Sequence, residues 1–147
     1  MLIRSAVEGA VAGALATGAM TAAFEAGRRR GAHHGHPPKH IVRALLSGGG
    51  SHRPRSGEDI AAGTAHLGFG TTMGALFGAV TGTRRPPRSL GAAYALAIMA
   101  AGYQSGAPRI GALPPLSRDH PGRTASLVGA HVLYGWTLAS SLRRARR

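Results

Sequence analysis

The chain has 147 residues, a length typical of one domain, and a formal net charge of +13 at pH 7. It contains no cysteine, which excludes disulfides, thiolate metal sites and cysteine nucleophiles. Such a basic chain is typical of proteins that bind nucleic acid or anionic membranes, so the placement of the charges decides between these classes.

The charges are sorted into blocks along the chain. Only two charged residues, Glu8 and Glu25, fall within four long stretches: residues 5–26, 60–82, 89–107 and 124–142. Each stretch is close to the roughly 20 residues that a helix needs to cross a hydrocarbon core about 30 Å thick. The sequence therefore predicts an all-α fold, a single membrane domain built as a four-transmembrane-helix bundle. A nucleic-acid binder would leave these uncharged stretches unexplained, so we expect no nucleic-acid partner.

The first predicted span, residues 5–26, carries a small residue at every fourth position. Such a stripe lets helices in a membrane pack closely, whereas a cleaved signal peptide does not need one. The basic N-terminus and the small residues near position 22 also suit a signal peptide, but the apolar run is longer than usual. We therefore expect a retained helix whose packing stripe is Ala6, Ala10, Ala14, Gly18, Ala22 and Ala26.

A basic loop is predicted between the first two spans, at residues 27–59. Residues 38–47 within it predict a short amphipathic helix in the headgroup region, with its apolar side formed by Ile41, Val42, Leu45 and Leu46. Imidazoles bind soft divalent cations, but a short histidine tract between glycine and proline is more typical of a solvated loop. That tract consists of His33, His34, His36 and His40.

The second predicted span, residues 60–82, has a glycine ridge along one helical face: Gly70, Gly74, Gly78 and Gly82. Apolar side chains give helices in lipid little reason to associate, so close backbone contact at small residues must hold them together. The ridge is expected to pack within the chain, since three other helices supply neighbours. Homo-oligomerisation through an exposed ridge is the alternative.

A short motif occurs in both the second and the fourth span. His66, Phe69 and Gly70 form His-x-x-aromatic-Gly, and His131, Tyr134 and Gly135 repeat it 65 positions later. On a helix this spacing places the aromatic ring beside the histidine and the glycine on the same face. Its matched place in alternate helices favours two duplicated helical hairpins.

Three features of the chain occur together: the small-residue segment at 8–13, the two histidine motifs, and a proline-containing loop at 108–115 that follows the third span. In these features the chain resembles the YagU-like family of small bacterial inner-membrane proteins of unknown function. The chain departs from the family at residues 101–105, which read Ala-Gly-Tyr-Gln-Ser in place of a tryptophan-containing segment. The resemblance implies four spans in the inner membrane and implies no reaction.

Three ionisable residues lie inside the predicted spans: Glu8, His66 and His131. Such groups are costly in a bilayer and usually face the bundle interior with a partner. The favoured interpretation is that each histidine hydrogen-bonds a neighbouring helix, through Glu8 or Tyr134, and specifies packing. A proton or ion path through the three residues is one alternative, and a paired-histidine haem or metal site is another. The candidate functional or packing residues are therefore Glu8, His66, Phe69, His131 and Tyr134.

The sequence contains no Ser-His-Asp arrangement, no phosphate-binding loop with its lysine and no paired carboxylates. We therefore expect no enzyme, and we assign no cofactor or metal. The expected protein is a non-catalytic multi-pass membrane protein that acts by assembling with itself or with a membrane complex. A small transporter, channel or proton-handling protein is the alternative, and a haem- or metal-binding bundle is the weaker one.

The orientation in the membrane should follow from the basic residues on each side. The side with both termini carries eight: Arg4, Arg84, Arg85, Arg88, Arg143, Arg144, Arg146 and Arg147. The other side carries ten: Arg28, Arg29, Arg30, Lys39, Arg43, Arg53, Arg55, Arg109, Arg118 and Arg123. Charges in short segments next to helix ends count most, and these favour cytoplasmic termini.

Overall fold

The computed structural model describes residues 1–30, 41–42, 44, 57–106, 109 and 121–147. Within them the chain forms four long helices and no strand, which confirms the all-α prediction: α1 Leu2–Arg29, α2 Glu58–Thr81, α3 Arg88–Ser105 and α4 Pro121–Ala145. They have 28, 24, 18 and 25 residues. At about 1.5 Å per residue their lengths are roughly 27 to 42 Å. Each predicted span corresponds to one helix.

Among the described helices, α1 is the one that combines the length and the hydropathy of a membrane span. Glycine, serine and threonine make up a larger share of α2 and α4 than of α1, and α3 carries Arg88 and Gln104 near its ends. A signal sequence and the core helix of a soluble protein share the properties of α1. Hydropathy alone therefore supports one membrane-associated helix near the N-terminus.

The helices pack in the order α2, α1, α4, α3. Helix α1 lies against both α2 and α4, and α3 lies against α4. A buried core runs between them and mixes alanines with larger apolar side chains: Ala12, Ala16, Met20, Phe24, Phe77, Ala95, Met99, Tyr103, Leu127, Ala130, Tyr134, Leu138 and Leu142.

Glycines bring the backbones of α1 and α2 into contact. A Cβ placed on Gly13 would lie 2.9 Å from Cα of Gly74, and one on Gly78 would lie 2.7 Å from Cα of Gly9. No side chain larger than hydrogen fits at these positions without moving the helices. The contact face of α1 is Ser5, Gly9, Gly13 and Thr17.

The contact stripe predicted for α1, from Ala6 to Ala26, is therefore wrong by one position, because each contact residue directly precedes a residue of the predicted stripe. The glycines of the neighbouring stripe allow the closer backbone approach, so the helix turns that face toward α2. Ala22 and Ala26, together with Gly18, are exposed.

Three of the four ridge glycines of α2, Gly70, Gly74 and Gly78, face α1. Gly82 does not extend the ridge. It follows the last residue of α2 with φ of 55°, a left-handed conformation that favours glycine. In the described part of the chain no heavy atom lies within 4 Å of the place where its Cβ would stand. Gly82 ends the helix and has no part in its packing.

Helices α3 and α4 also meet through glycines. A Cβ on Gly135 would lie 2.6 Å from the backbone nitrogen of Ala92, and its other near atoms belong to Gly91. Gly70 occupies the matching place in α2, where its Cβ would collide with the hydroxyl of Thr17. The final glycine of each His-x-x-aromatic-Gly motif therefore lies at a helix contact.

The amphipathic helix predicted at 38–47 is described at three positions only. Ile41, Val42 and Ala44 are helical. Ala44 is buried, and Ile41 packs against the core, so these two residues lie on the bundle itself. The rest of the segment, the four loop histidines and most of the 108–123 loop lie outside the described residues.

Candidate functional site: a central cavity

A cavity of about 30 Å³ lies near the middle of every helix. Its walls come from α1 (Thr17, Met20), α2 (His66, Phe69, Gly70, Met73), α3 (Ala95, Ile98) and α4 (His131, Tyr134). This volume holds a water molecule or a single ion. Pockets for organic ligands usually measure about 300 to 1,000 Å³, so the cavity as it stands does not accommodate haem.

Both histidines singled out by the sequence line this central cavity, and both are half-buried. Glu8 does not join them. It lies nine residues before Thr17 in α1, roughly 13 Å along the helix axis. The structure therefore does not assemble the predicted constellation of Glu8, His66 and His131, because the register of α1 leaves the carboxylate near the end of the bundle.

The hydrogen bond of His131 stays within its own helix. Its Nδ1 lies 2.8 Å from the backbone oxygen of Leu127, one turn earlier in α4. Because a carbonyl only accepts, Nδ1 carries the proton, and Nε2 is the acceptor of the neutral ring. The expectation that His131 links two helices through Glu8 or Tyr134 was wrong, since the carbonyl of its own preceding turn is within reach.

Two tyrosines make the hydrogen bonds between helices instead. The hydroxyl of Tyr134 donates to the backbone oxygen of Gly70 at 2.7 Å, and that of Tyr94 donates to the backbone oxygen of Met73 at 2.8 Å. These bonds attach α4 and α3 to α2 beside the central cavity. Tyr94 was not among the residues predicted from the sequence, although a tyrosine in an apolar helix signals a hydroxyl that needs a partner.

The aromatic residues of the two histidine motifs have different surroundings. Tyr134 is 4% exposed, whereas Phe69 is 53% exposed. Phe69 has no hydroxyl with which to bond a neighbouring backbone, and it borders the central cavity from the outside of the bundle. The two motifs thus share their cavity-lining histidine and their contact glycine but not the role of their aromatic ring.

Glu8 belongs to a polar cluster at the end of the bundle where both termini meet, here called the terminal end. Its carboxylate accepts hydrogen bonds from Nε of Arg4 at 2.8 Å and from Nε of Arg146 at 3.2 Å. Arg146 also donates to the hydroxyl of Thr81 at 3.1 Å and to the carbonyls of Gly78 at 3.2 Å and Arg84 at 2.6 Å. In the sequence Arg146 is one of the eight basic residues on the side of both termini, and in the structure it ties three helices together.

Glu25 occupies the opposite end of α1, where it pairs with Arg28 at 2.6 Å and with Arg29 at 3.0 Å. Within the described residues, no group of three or more histidine, aspartate or glutamate side chains is placed to hold a metal ion.

Comparisons of the chain with protein-family models, with characterised proteins and with solved structures find no match. Its function is therefore inferred from the geometry of the bundle.

Proposed function

We propose that the chain is a multi-pass protein of the bacterial inner membrane. Its four helices cross the bilayer as two related hairpins, as the resemblance to the YagU-like family implies. It performs no catalysis and acts by assembling with itself or with a larger membrane complex.

The main support for this proposal is the outward surface of the bundle. Large exposed apolar side chains run along α1, α2 and α4: Leu2, Ile3, Val7, Val11, Leu15, Ile60, Leu67, Phe69, Leu76, Val80, Val128, Leu133 and Trp136. Soluble monomers rarely expose contiguous apolar patches larger than a few hundred Å². Lipid chains are the natural solvent for such a surface.

The contact between α1 and α2 contrasts with this surface. Helices α1 and α2 meet through Gly9, Gly13, Gly74 and Gly78, where a water-soluble bundle would bury leucine and isoleucine. Glycine costs helix stability in water, whereas a bilayer enforces helicity because the backbone has no other hydrogen-bond partner there. Large apolar residues on the outward surface and glycines at the contact between α1 and α2 therefore favour a bilayer as the surroundings.

Charge at the terminal end supports the orientation with both termini in the cytoplasm. Arg85 donates a hydrogen bond to the backbone oxygen of Arg146, and Arg88 donates one to the hydroxyl of Ser140. These bonds place the arginines at the helix ends side by side. The guanidinium of Arg88 lies 5.2 Å from the ring centre of Trp136. Tryptophan and arginine are typical of the membrane interface, and arginine favours the cytoplasmic side.

Glycines that face outward support assembly. Gly68 is exposed, and within the described chain no heavy atom lies within 4 Å of the place where its Cβ would stand. Thr64 and Thr72, one turn away on either side, are also exposed. A face of small residues lets a helix of another subunit approach closely. Homo-oligomerisation would thus use a different face of α2 from the buried ridge.

One observation favours the alternative, a small transporter, channel or proton-handling protein. The central cavity lies at the midpoint of the bundle and is lined by His66 and His131. Transporters commonly bind substrate near the bilayer midplane. Loss of a transport activity on replacement of either histidine, with the assembly intact, would favour this alternative.

The absence of cysteine makes topology directly testable by labelling. Single-cysteine variants Ser56→Cys, Thr83→Cys and Ser117→Cys are expressed, and membranes are washed with carbonate before impermeant maleimide is added. We expect retention in the membrane, labelling of 56 and 117 from one side and of 83 from the other. If α1 alone crosses the membrane or is cleaved, all three positions label from the same side.

Assembly is tested on the same membranes after solubilisation. Gly68→Leu should lower the measured oligomer mass in detergent, because the leucine blocks the approach of a second helix. Gly129→Leu is the matched control, since Gly129 is exposed in α4 with open space around it. Equal oligomer masses for both variants and the unmodified chain would contradict the proposed face.

A further inference from the structure

Four side chains with metal-binding atoms line the central cavity. His66 and His131, which carry imidazoles, line the cavity together with Met20 and Met73, which carry thioethers. These residues come from α1, α2 and α4, so only the folded bundle brings them together. Neither methionine stands out in the sequence, because each is an ordinary apolar residue of its helix.

Hydrogen bonds position His131 and Met73. Nδ1 of His131 donates to the carbonyl of Leu127, the arrangement that fixes the tautomer of metal-binding histidines and leaves Nε2 as the ligand atom. The hydroxyl of Tyr94 lies 3.9 Å from the sulfur of Met73 and donates to its backbone oxygen. Tyr94 therefore positions Met73 from outside the set of four.

The chemistry of the four donors selects the ion. Thioether sulfur favours soft ions such as Cu(I), and imidazole is compatible with them. No carboxylate or thiolate is among the residues that line the central cavity, so a divalent ion would keep its full charge inside the bundle. A monovalent ion carries a smaller cost of burial, and a volume of about 30 Å³ suits one ion without a large ligand.

We propose that the centre of the bundle binds one cuprous ion through Met20, His66, Met73 and His131. This site goes beyond the proposed function, and it depends on the packing of the helices rather than on their insertion in a membrane. Failure of the labelling experiment would therefore leave this proposal standing, and the reverse also holds.

The test uses the full chain in detergent with Cu(I) under anaerobic, reducing conditions. All variants carry His33, His34, His36 and His40 replaced by asparagine, since the loop tract is a second source of imidazole. We expect one Cu(I) per chain, and competition with a chromophoric Cu(I) chelator gives its affinity. Replacing both methionines, Met20→Leu and Met73→Leu, should weaken binding at least about tenfold.

Met99→Leu is the matched control. Met99 is buried in α3 at 8% exposure and does not line the central cavity, so its replacement should leave the affinity unchanged. Equal affinities for the double variant and the control would overturn the proposal, as would a chain that binds no Cu(I).

X-ray absorption on the chain with intact methionines covers the case in which the double variant does not fold. Both sulfur and nitrogen neighbours are expected around copper. A spectrum with nitrogen and oxygen neighbours alone would also overturn the proposal.

Discussion

Arg146, next to the end of α4, connects that helix to two others through its side chain. Its side chain is 4% exposed, and it reaches the carboxylate of Glu8 and the backbone carbonyls that end α2. Glu8 is also held by Arg4, so its charge is compensated twice. The terminal end thus locks α1, α2 and α4 in a single register.

Replacing Arg146 by methionine should destabilise the bundle. The shorter side chain would keep part of the aliphatic stem but lose the bonds to the carbonyls of Gly78 and Arg84, each worth about 1 kcal/mol, and would leave Glu8 with Arg4 alone. Arg144→Met is the control, because Arg144 is exposed. Thermal unfolding in detergent, followed by circular dichroism, should show a lower midpoint for Arg146→Met only. A similar midpoint for the two variants would contradict this role.

At the scale of the helix, the contact between α1 and α2 depends on the absence of side chains. Gly74 faces the backbone of Gly13, whose Cα would lie 2.6 Å from an added Cβ. Forcing extra atoms into such a contact typically costs about 1 to 3 kcal/mol or more. The two helices can relieve the overlap only by separating, which also breaks the neighbouring contact at Gly9.

Gly74→Leu should therefore separate α1 from α2, whereas Ala75→Leu should have a much smaller effect. Ala75 is half-buried at the next position of the same helix, so it tests added volume away from the glycine contact. Proteolysis of the solubilised protein and its unfolding midpoint measure the difference. Equal sensitivity at both positions would show that the glycine contact does not hold the helices together.

The sequence predicts much of this element-level structure. Charge blocks locate all four helices, because charges concentrate between them, and a period of four identifies the face formed by Gly70, Gly74 and Gly78. The face of α1 was missed because two small-residue stripes lie one position apart, and periodicity does not rank glycine above alanine. Only the packed backbone shows which stripe makes contact.

The candidate site was predictable in part for a similar reason. The motif spacing places His66 and His131 in alternate helices, and the structure places both at one cavity. Partners far apart in sequence, such as Glu8 and Arg146 or Tyr94 and Met73, depend on helix register and rotation. No local pattern encodes these quantities.

For the whole molecule, basic residues at each end of the bundle favour placing that end in the cytoplasm. The terminal end carries eight basic residues and the opposite side ten, so the proposed orientation depends on charges that lie close to helix ends. Two of these, Arg84 and Arg144, are exposed at the terminal end. Both side chains can be replaced by neutral ones without disturbing Arg146, because the bond between Arg146 and Arg84 uses the backbone oxygen of Arg84 and not its side chain.

The variant that combines Arg84→Gln with Arg144→Gln should invert part of the population, because positive charge near helix ends holds a segment in the cytoplasm. Ser56→Cys is the reporter: the fraction labelled from the cytoplasmic side should rise from near zero. Arg109→Gln with Arg118→Gln removes the same charge from the opposite side and should keep the original orientation. If both pairs leave the labelling unchanged, the arginines of the terminal end do not set the topology, and the orientation must come from the insertion of α1 itself.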